Sequence, residues 1–467
     1  MILNYLNFGE ILFMKNFPRS VSIFKKHKLC NYAFAQKAAK LIFLTFLFIG
    51  IFLLNGYAAY AFSPQEPLRV GLVSRFSNRQ SIFVDNTMIV LQGQFFYSYS
   101  GFTVRAYGSG HINLYGSSGR ISTSDSLVIY DGAGSGMVSL DGREYRGGVE
   151  FSRLSGSGIT AINLVSMEEY LLSVVPSEMP ASWHLEALKA QAVAARTYAL
   201  RTVRNSVHTG FDLCDGVHCQ VYNGAGWEHE NSSAAVMATA GLALFFNGEL
   251  IDAVYSASSG GFTENSENVW LEARPYLRSV SDYHEFEPVI WTRSFTLAEI
   301  TFLASQSGRN IGMATGVSIS GFHDSGRVEQ LIIHGTTGQI FLEKEEIRTF
   351  FARSEGGSLQ SRIFTFGEPP AGQTGTDAVY VFDGQQLINT ALSDIYVLTP
   401  EGVFAYQAEP QPPSARQLTA SGNIITMHGR GFGHGVGLSQ RGAEGMARRG
   451  YDFRRILTHF YTGVTIN

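Results

Sequence analysis

One carboxylate, a set of metal-capable side chains and two glycine-rich strings hold most of the chemistry this sequence could perform. Glu178 sits in YLLSVVPSEMPASWHLEALKAQAVAARTYALR, two residues from Pro176 and two from Pro180. A stretch so flanked cannot be helical throughout, so it predicts a rigid bend that projects one acid from a fixed point, as catalysis requires. Lys189 and Arg196 follow on an alanine-rich run. Small side chains there permit close packing beneath a site, and the two cations could position an anion or sugar hydroxyls, or simply be salt-bridged on the surface.

His208, Cys214 and Cys219 follow with the spacing His-x5-Cys-x4-Cys. Three such ligands are a tetrahedral zinc site with its fourth position left for water or a nearby side chain, and His218 is an alternative ligand. In an oxidising compartment Cys214 and Cys219 could equally form a short-loop disulfide. The residues alone leave that choice open.

Tyr255-Ser256-Ala257-Ser258-Ser259-Gly260-Gly261 supplies small hydroxyl groups suited to sugar hydrogen bonds. Gly431-Phe432-Gly433-His434-Gly435-Val436-Gly437 resembles a phosphate loop only superficially: no Gly-Lys-Ser/Thr follows and no early βαβ unit frames it. Its glycines are expected to let backbone approach a ligand or a packed neighbour, with His434, Gln440 and Arg441 facing a groove. A Ser256–His434–Asp hydrolase triad lacks the GxSxG elbow.

The elements that must position these groups are mixed. Residues 68–165 read as short strands rich in β-branched and aromatic residues and bounded by Gly, Ser, Asn or Asp. The period changes at 167–174 and again at about 184–204, where Leu188, Gln191, Ala192, Ala195, Tyr198 and Ala199 recur at three and four, predicting two helices, the second capped by Ser182. A second strand-rich region covers about 285–425, with an exposed connector at 410–421. Then come a strand (IITMHG), the glycine-rich string and a short amphipathic helix near 452–461. The predicted fold class is α+β. Its strand-rich catalytic domain has an alanine-rich helix behind the site and is interrupted by a mostly β insertion. The expected boundaries are 1–61, 62–147, 148–284 with 426–467, and 285–425.

Composition limits the function. Charged residues are 16% and hydrophobic ones 45%, which excludes a disordered chain, and 50 glycines in 467 residues predict many tight turns. Residues 1–61 hold seven Lys/Arg and one acid, so the remainder carries 28 bases against 38 acids. So acidic a body has no global footprint for nucleic acid. The basic segment precedes the uncharged run LIFLTFLFIGIFLL at 41–54. That run is expected to be a retained membrane anchor, the alternative being a cleaved export signal at Ala59-Tyr60-Ala61, and the positive-inside rule places everything after residue 62 outside the cytoplasm.

Four strings, YLLSVVPSEMPASWHLEALKAQAVAARTYA, CDGVHCQVYNG, YSASSGGFTENSENVW and HGRGFGHGVGLSQRGAEGMA, occur in an order that resembles the SpoIID/LytB family, the stage II sporulation protein D and amidase-enhancer group. The resemblance spans about 148–467. It implies a peptidoglycan lytic transglycosylase acting on glycan strands without peptide stems; a non-catalytic amidase enhancer that binds glycan or a cell-wall hydrolase is the alternative. By motif, Glu178 matches the family's catalytic glutamate and Arg196 an arginine tied to activity. Some members bind zinc through a histidine and two cysteines, which favours structural Zn2+ at His208, Cys214 and Cys219 over the disulfide. Such an ion is expected to order residues 220–224 rather than to activate water, and the expected substrate contacts are Lys189, Tyr222, Tyr255, Ser256, Ser258, Ser259, His434, Gln440 and Arg441. A groove walled by residues 255–261 and 431–440 is expected to exclude stem peptides by its narrowness.

Overall fold

The computed structural model describes residues 67–366 apart from 155, 206 and 283, and residues 422–467, with the backbone of five short strands between 378 and 420. The apolar run, its basic flank and most of the 410–421 connector lie outside the described residues. Among the described residues no helix is long and apolar enough to cross a membrane.

Short β-branched segments bounded by turns give two sheets, chiefly from residues 68–165. The larger has seven strands in the order Leu213–Cys214, Leu68–Gly71, Thr160–Val165, Gly148–Ser152, Ser126–Asp131, Met88–Leu91 and Gln94–Tyr97. The other has six, Arg143–Arg146, Met137–Leu140, Ser81–Val84, Phe102–Tyr107, His111–Gly116 and Gly119–Ser124. Alternating burial, as in Ser81–Val84, sends one face of each strand into a common core. The boundary expected at 147/148 therefore falls inside a sheet: Gly148–Ser152 pairs with Ser126–Asp131 on one side and with Thr160–Val165 on the other.

Helix α1, Met167–Glu178, starts at a capping box in which Ser166 and Glu169 satisfy each other's backbone N–H. It runs through Pro176, four residues beyond the expected end, and stops where Pro180 forces Met179 into extended backbone (φ −137°, ψ 134°). The bend is real, but Glu178 is the last helical residue rather than the middle of a loop. Helix α2, Leu185–Asn205, is preceded by His184, whose Nδ1 accepts from the Glu186 N–H, so His184 and not Ser182 occupies the capping position. Its alanines 187, 190, 192, 194, 195 and 199 are fully buried. They let α2 pack against α1, α3 (Glu230–Ala238), α5 (Gln440–Arg448) and α6 (Phe453–Phe460). The last matches the predicted amphipathic helix and is capped by Asp452.

The insertion has a core of its own. Strand Ile290–Thr296 pairs antiparallel with Ile424–Arg430, which pairs in turn with Ile363–Phe366. A four-stranded sheet of Gln339–Glu343, Val328–Gly335, Ala314–Phe322 and Leu418–Ala420 and helix α4, Leu297–Gln306, complete it. Trp291, Phe295, Val317, Leu331, Phe351 and Met427 form this separate cluster.

Candidate active site

Glu178 is half-buried at the C-terminal end of α1, and its Oε1 accepts from the Val221 N–H at 2.8 Å. Burial pushes its carboxyl above the usual carboxylate range, with the Val221 hydrogen bond pulling back against it. The negative end of the helix works in the same direction as burial. Among the described residues the Val221 N–H is its one hydrogen-bond partner. Val175 and Met179, its apolar neighbours in the chain, are buried, and Trp183 is partly buried.

The segment after Cys219 closes the other side. Tyr170 donates to Gln220 Oε1 at 3.3 Å, and Gln220 Nε2 donates to the Tyr255 hydroxyl at 2.8 Å. Both phenols are held protonated, chiefly by burial. Asn223 donates from its backbone to Ser173 Oγ and from its side chain to Ser177 Oγ, at 3.2 and 3.1 Å. Residues 220–223 are thus laced to the last two turns of α1. Tyr170 was not singled out from sequence, and Gln220 and Val221 only as part of the segment 220–224 that zinc was expected to order.

Immediately upstream, His208, Cys214, His218 and Cys219 place their ligand atoms within 4.8 Å of one another. His208 Nε2 lies 3.1 Å from Cys219 Sγ, and His218 Nδ1 lies 3.9 and 3.7 Å from the two sulfurs. Both cysteines are free thiols. A hydrogen bond from Cys219 draws the Cys214 thiol down to about 4, and Cys219 itself is pushed well up. Two thiols and two imidazoles at these separations fit a closed tetrahedral zinc site. His218, read only as an alternative ligand, completes the set. The first strand fixes the cluster: Gly71 pairs with Cys214, and Asp212 and Arg69 exchange hydrogen bonds.

Other expected site residues are elsewhere. Arg196 is 1% exposed and grips Glu168 with two hydrogen bonds of 2.9 and 2.6 Å and the Leu242 carbonyl at 3.1 Å. Glu168 lies ten residues before Glu178, roughly 15 Å along α1, so the structure does not bring Arg196 to the acid. Lys189 pairs with Glu186. The Tyr222 hydroxyl is spent on Asn163, and its ring is buried against Tyr170.

The two strings expected to wall an open groove instead pack against each other. Tyr255–Ser256 and Leu438–Ser439 are paired parallel strands, and Ser258 bridges Phe432. Ser256, Ser258, Ser259 and Gln440 are all buried. Ser258 donates to Glu285, Ser259 to Asp282 and Gln440 to Gln191, so they do not face a groove. His434 is kept neutral by burial, with its pKa down at about 4 and Nδ1 accepting from the Val436 N–H. Arg441 hydrogen-bonds the carbonyls of Phe286 and Glu287. Gly435 shows what the glycines do: at φ +77° it leaves room where a Cβ would sit 1.8 Å from the Arg327 guanidinium.

The family model described as stage II sporulation protein matches residues 155–246, the stretch that carries Glu178 and the histidine–cysteine cluster. The amidase enhancer of Bacillus subtilis (strain 168) is 31% identical over 386 residues, 77% of this chain and 49% of that protein. Stage II sporulation protein D of the same organism is 29% identical over 324 residues, 66% of this chain and 76% of the relative. An uncharacterised protein of Brachyspira hyodysenteriae (strain ATCC 49526 / WA1) is 29% identical over 332 residues, 70% of this chain and 73% of its own. The chain thus spans about half the length of the amidase enhancer and about three quarters of the other two.

Proposed function

Because this chain belongs to the SpoIID/LytB family, we propose that it acts on bacterial cell-wall glycan as a lytic transglycosylase with Glu178 as its single acid and base. The observation that carries this reading is the setting of Glu178: a half-buried carboxyl whose pKa burial raises and whose one hydrogen-bond partner among the described residues is the Val221 N–H. Ordinary glycosidases need two carboxyl groups, one to protonate the leaving oxygen and one to activate water or attack. A lone acid suffices when the sugar's own C6 hydroxyl is the nucleophile.

In that reaction protonated Glu178 gives its proton to the glycosidic oxygen as the C1–O bond breaks. The resulting carboxylate takes the C6 hydroxyl proton as the 1,6-anhydro ring closes, so the acid is regenerated and no water is consumed. A raised pKa shifts the acid toward the protonated form that the first step needs. Tyr255, whose oxygen already accepts from Gln220, retains its own proton to donate to a sugar oxygen. Residues 220–223 hold the acid's orientation through Val221 and Asn223. Zinc held by His208, Cys214, His218 and Cys219 would brace that segment structurally. Arg196 acts as a positioning residue, clamping the start of α1 through Glu168.

The reading is tested by incubating the protein with peptide-stripped glycan and looking by mass spectrometry for 1,6-anhydromuramyl ends. Wild type should form them, and Glu178→Gln should lose at least about 100-fold in rate while still binding glycan. The name of the amidase-enhancer relative supports a second reading, stimulation of a wall amidase without cleavage. Under it Glu178→Gln would leave the stimulation intact and wild type would form no anhydro ends.

A further inference from the structure

Beyond Val221 from Glu178 lies a cavity of about 460 Å³ whose walls include Ser74, Arg75, Arg143, Asp215, Val221 and Asn223. Its volume suits one sugar residue with its substituents. The one-turn helix Val73–Phe76 and strand Arg143–Arg146 form one wall, and residues 215–223 form the other. Two of these wall residues also hold the catalytic region: Val221 donates to Glu178, and Asn223 donates to Ser177.

The cavity is cationic. Arg75 is exposed, and Arg143 donates to the Asn223 carbonyl at 3.3 Å and to the Tyr145 phenol. Among the described residues no carboxylate forms an ion pair with either. The one acid in the wall, Asp215, takes the Ser74 N–H and hydroxyl on Oδ1 at 2.9 and 2.8 Å. Two guanidinium groups therefore face one acid that is already engaged, in a cavity that shares a wall with Glu178.

We propose that this cavity binds the 3-O-lactyl carboxylate of a muramyl residue, with Arg75 and Arg143 pairing with it; the proposal rests on the reading of Glu178 as acting on glycan. In a strand bearing stem peptides that carboxyl is an amide and carries no charge. Once the stem is removed it is a free anion, which guanidinium groups recognise by charge-assisted, fork-like hydrogen bonds. Preference for stripped glycan then comes from charge at one subsite, in place of the narrow groove expected from sequence. It also gives the strand-rich region before residue 147 a task, since it supplies both arginines. The net acidity of the chain does not oppose this, because exposed charges beyond about 8 Å are screened at physiological salt.

The test is calorimetric binding to the full chain carrying Glu178→Gln, so that no probe is consumed. Four probes are compared: a tetrasaccharide of alternating N-acetylglucosamine and muramic acid with free lactyl groups, its lactyl methylamide, its stem-peptide form, and chitotetraose. The free acid should bind roughly tenfold tighter than the methylamide at low salt, as one charge-assisted pair allows. Arg75→Ala with Arg143→Ala should remove that difference while leaving chitotetraose binding unchanged. Arg75→Glu, at an exposed position where folding is not at stake, should reverse the preference. Equal binding of acid and methylamide, a preference that survives the double variant, a stem-peptide form bound as tightly as the acid, or no binding of any probe would each overturn the proposal. Any of these with cleavage intact in wild type removes the cavity alone. An inert Glu178 would leave the binding result to stand by itself.

Discussion

Glu178 was legible through the bend that Pro180 imposes just after it, although Pro176 lies inside α1. Its hydrogen bond to Val221 was not, because that partner arrives from 43 residues further on and only the folded histidine–cysteine cluster delivers it. The raised pKa has a sign that can be measured. A carboxyl with a folded pKa above its unfolded one costs stability once pH exceeds the unfolded value of about 4.5, and costs nothing below it, where both states are protonated. Glu178→Gln imitates the protonated acid, so it should raise the melting temperature at neutral pH, with the gain fading below about pH 4.5. A melting difference that grows in acid would contradict the assignment. For Arg196 the structure redirects the motif-based expectation: with its guanidinium buried on Glu168, Arg196→Ala should cost roughly 3 to 5 kcal/mol of stability. Activity lost in a variant with wild-type melting behaviour would instead return Arg196 to the chemistry.

Among elements, strands and the two central helices were readable because their periods are strong and local. The glycine-rich tail misled, since Gly442 and Gly445 lie inside helix α5, where glycine usually argues against helix. The reason is close approach: a Cβ on Gly445 would sit 1.6 Å from the His284 carbonyl oxygen. Gly445→Ala should therefore destabilise by about 1 to 3 kcal/mol, although alanine is the better helix former, and urea denaturation would show it. The metal-capable segment makes a second element-scale claim. Four ligands on a twelve-residue span fold what they tie, so the purified protein should carry about one zinc. Chelation should raise hydrogen exchange across residues 208–223 far more than in the insertion core around Val317 and Leu331. Cys214 and Cys219 recovered joined, with no metal by elemental analysis, would restore the disulfide alternative.

At the scale of the whole molecule, the insertion boundary expected at 425/426 falls inside strand Ile424–Arg430, and sequence did not show how the insertion is fastened. The fastening is a buried cation. Arg327, from the insertion, donates at 2.7 Å to the carbonyls of Ser259 and Phe262, and Ser325 beside it donates to Glu264. No periodic pattern signals such a contact between segments 65 residues apart. Arg327→Met should uncouple the two cores, turning one calorimetric unfolding transition into two, whereas a single unshifted transition would show that the cores are joined otherwise. The same whole-molecule view places Glu178 between the end of α1 and residues 220–223, and the central claim is that this acid works without water. Cleavage of peptide-stripped glycan in 18O-labelled water measures that directly. The account predicts 1,6-anhydromuramyl ends that contain no label and vanish with Glu178→Gln; labelled reducing ends, or unchanged cleavage by Glu178→Gln, would contradict it.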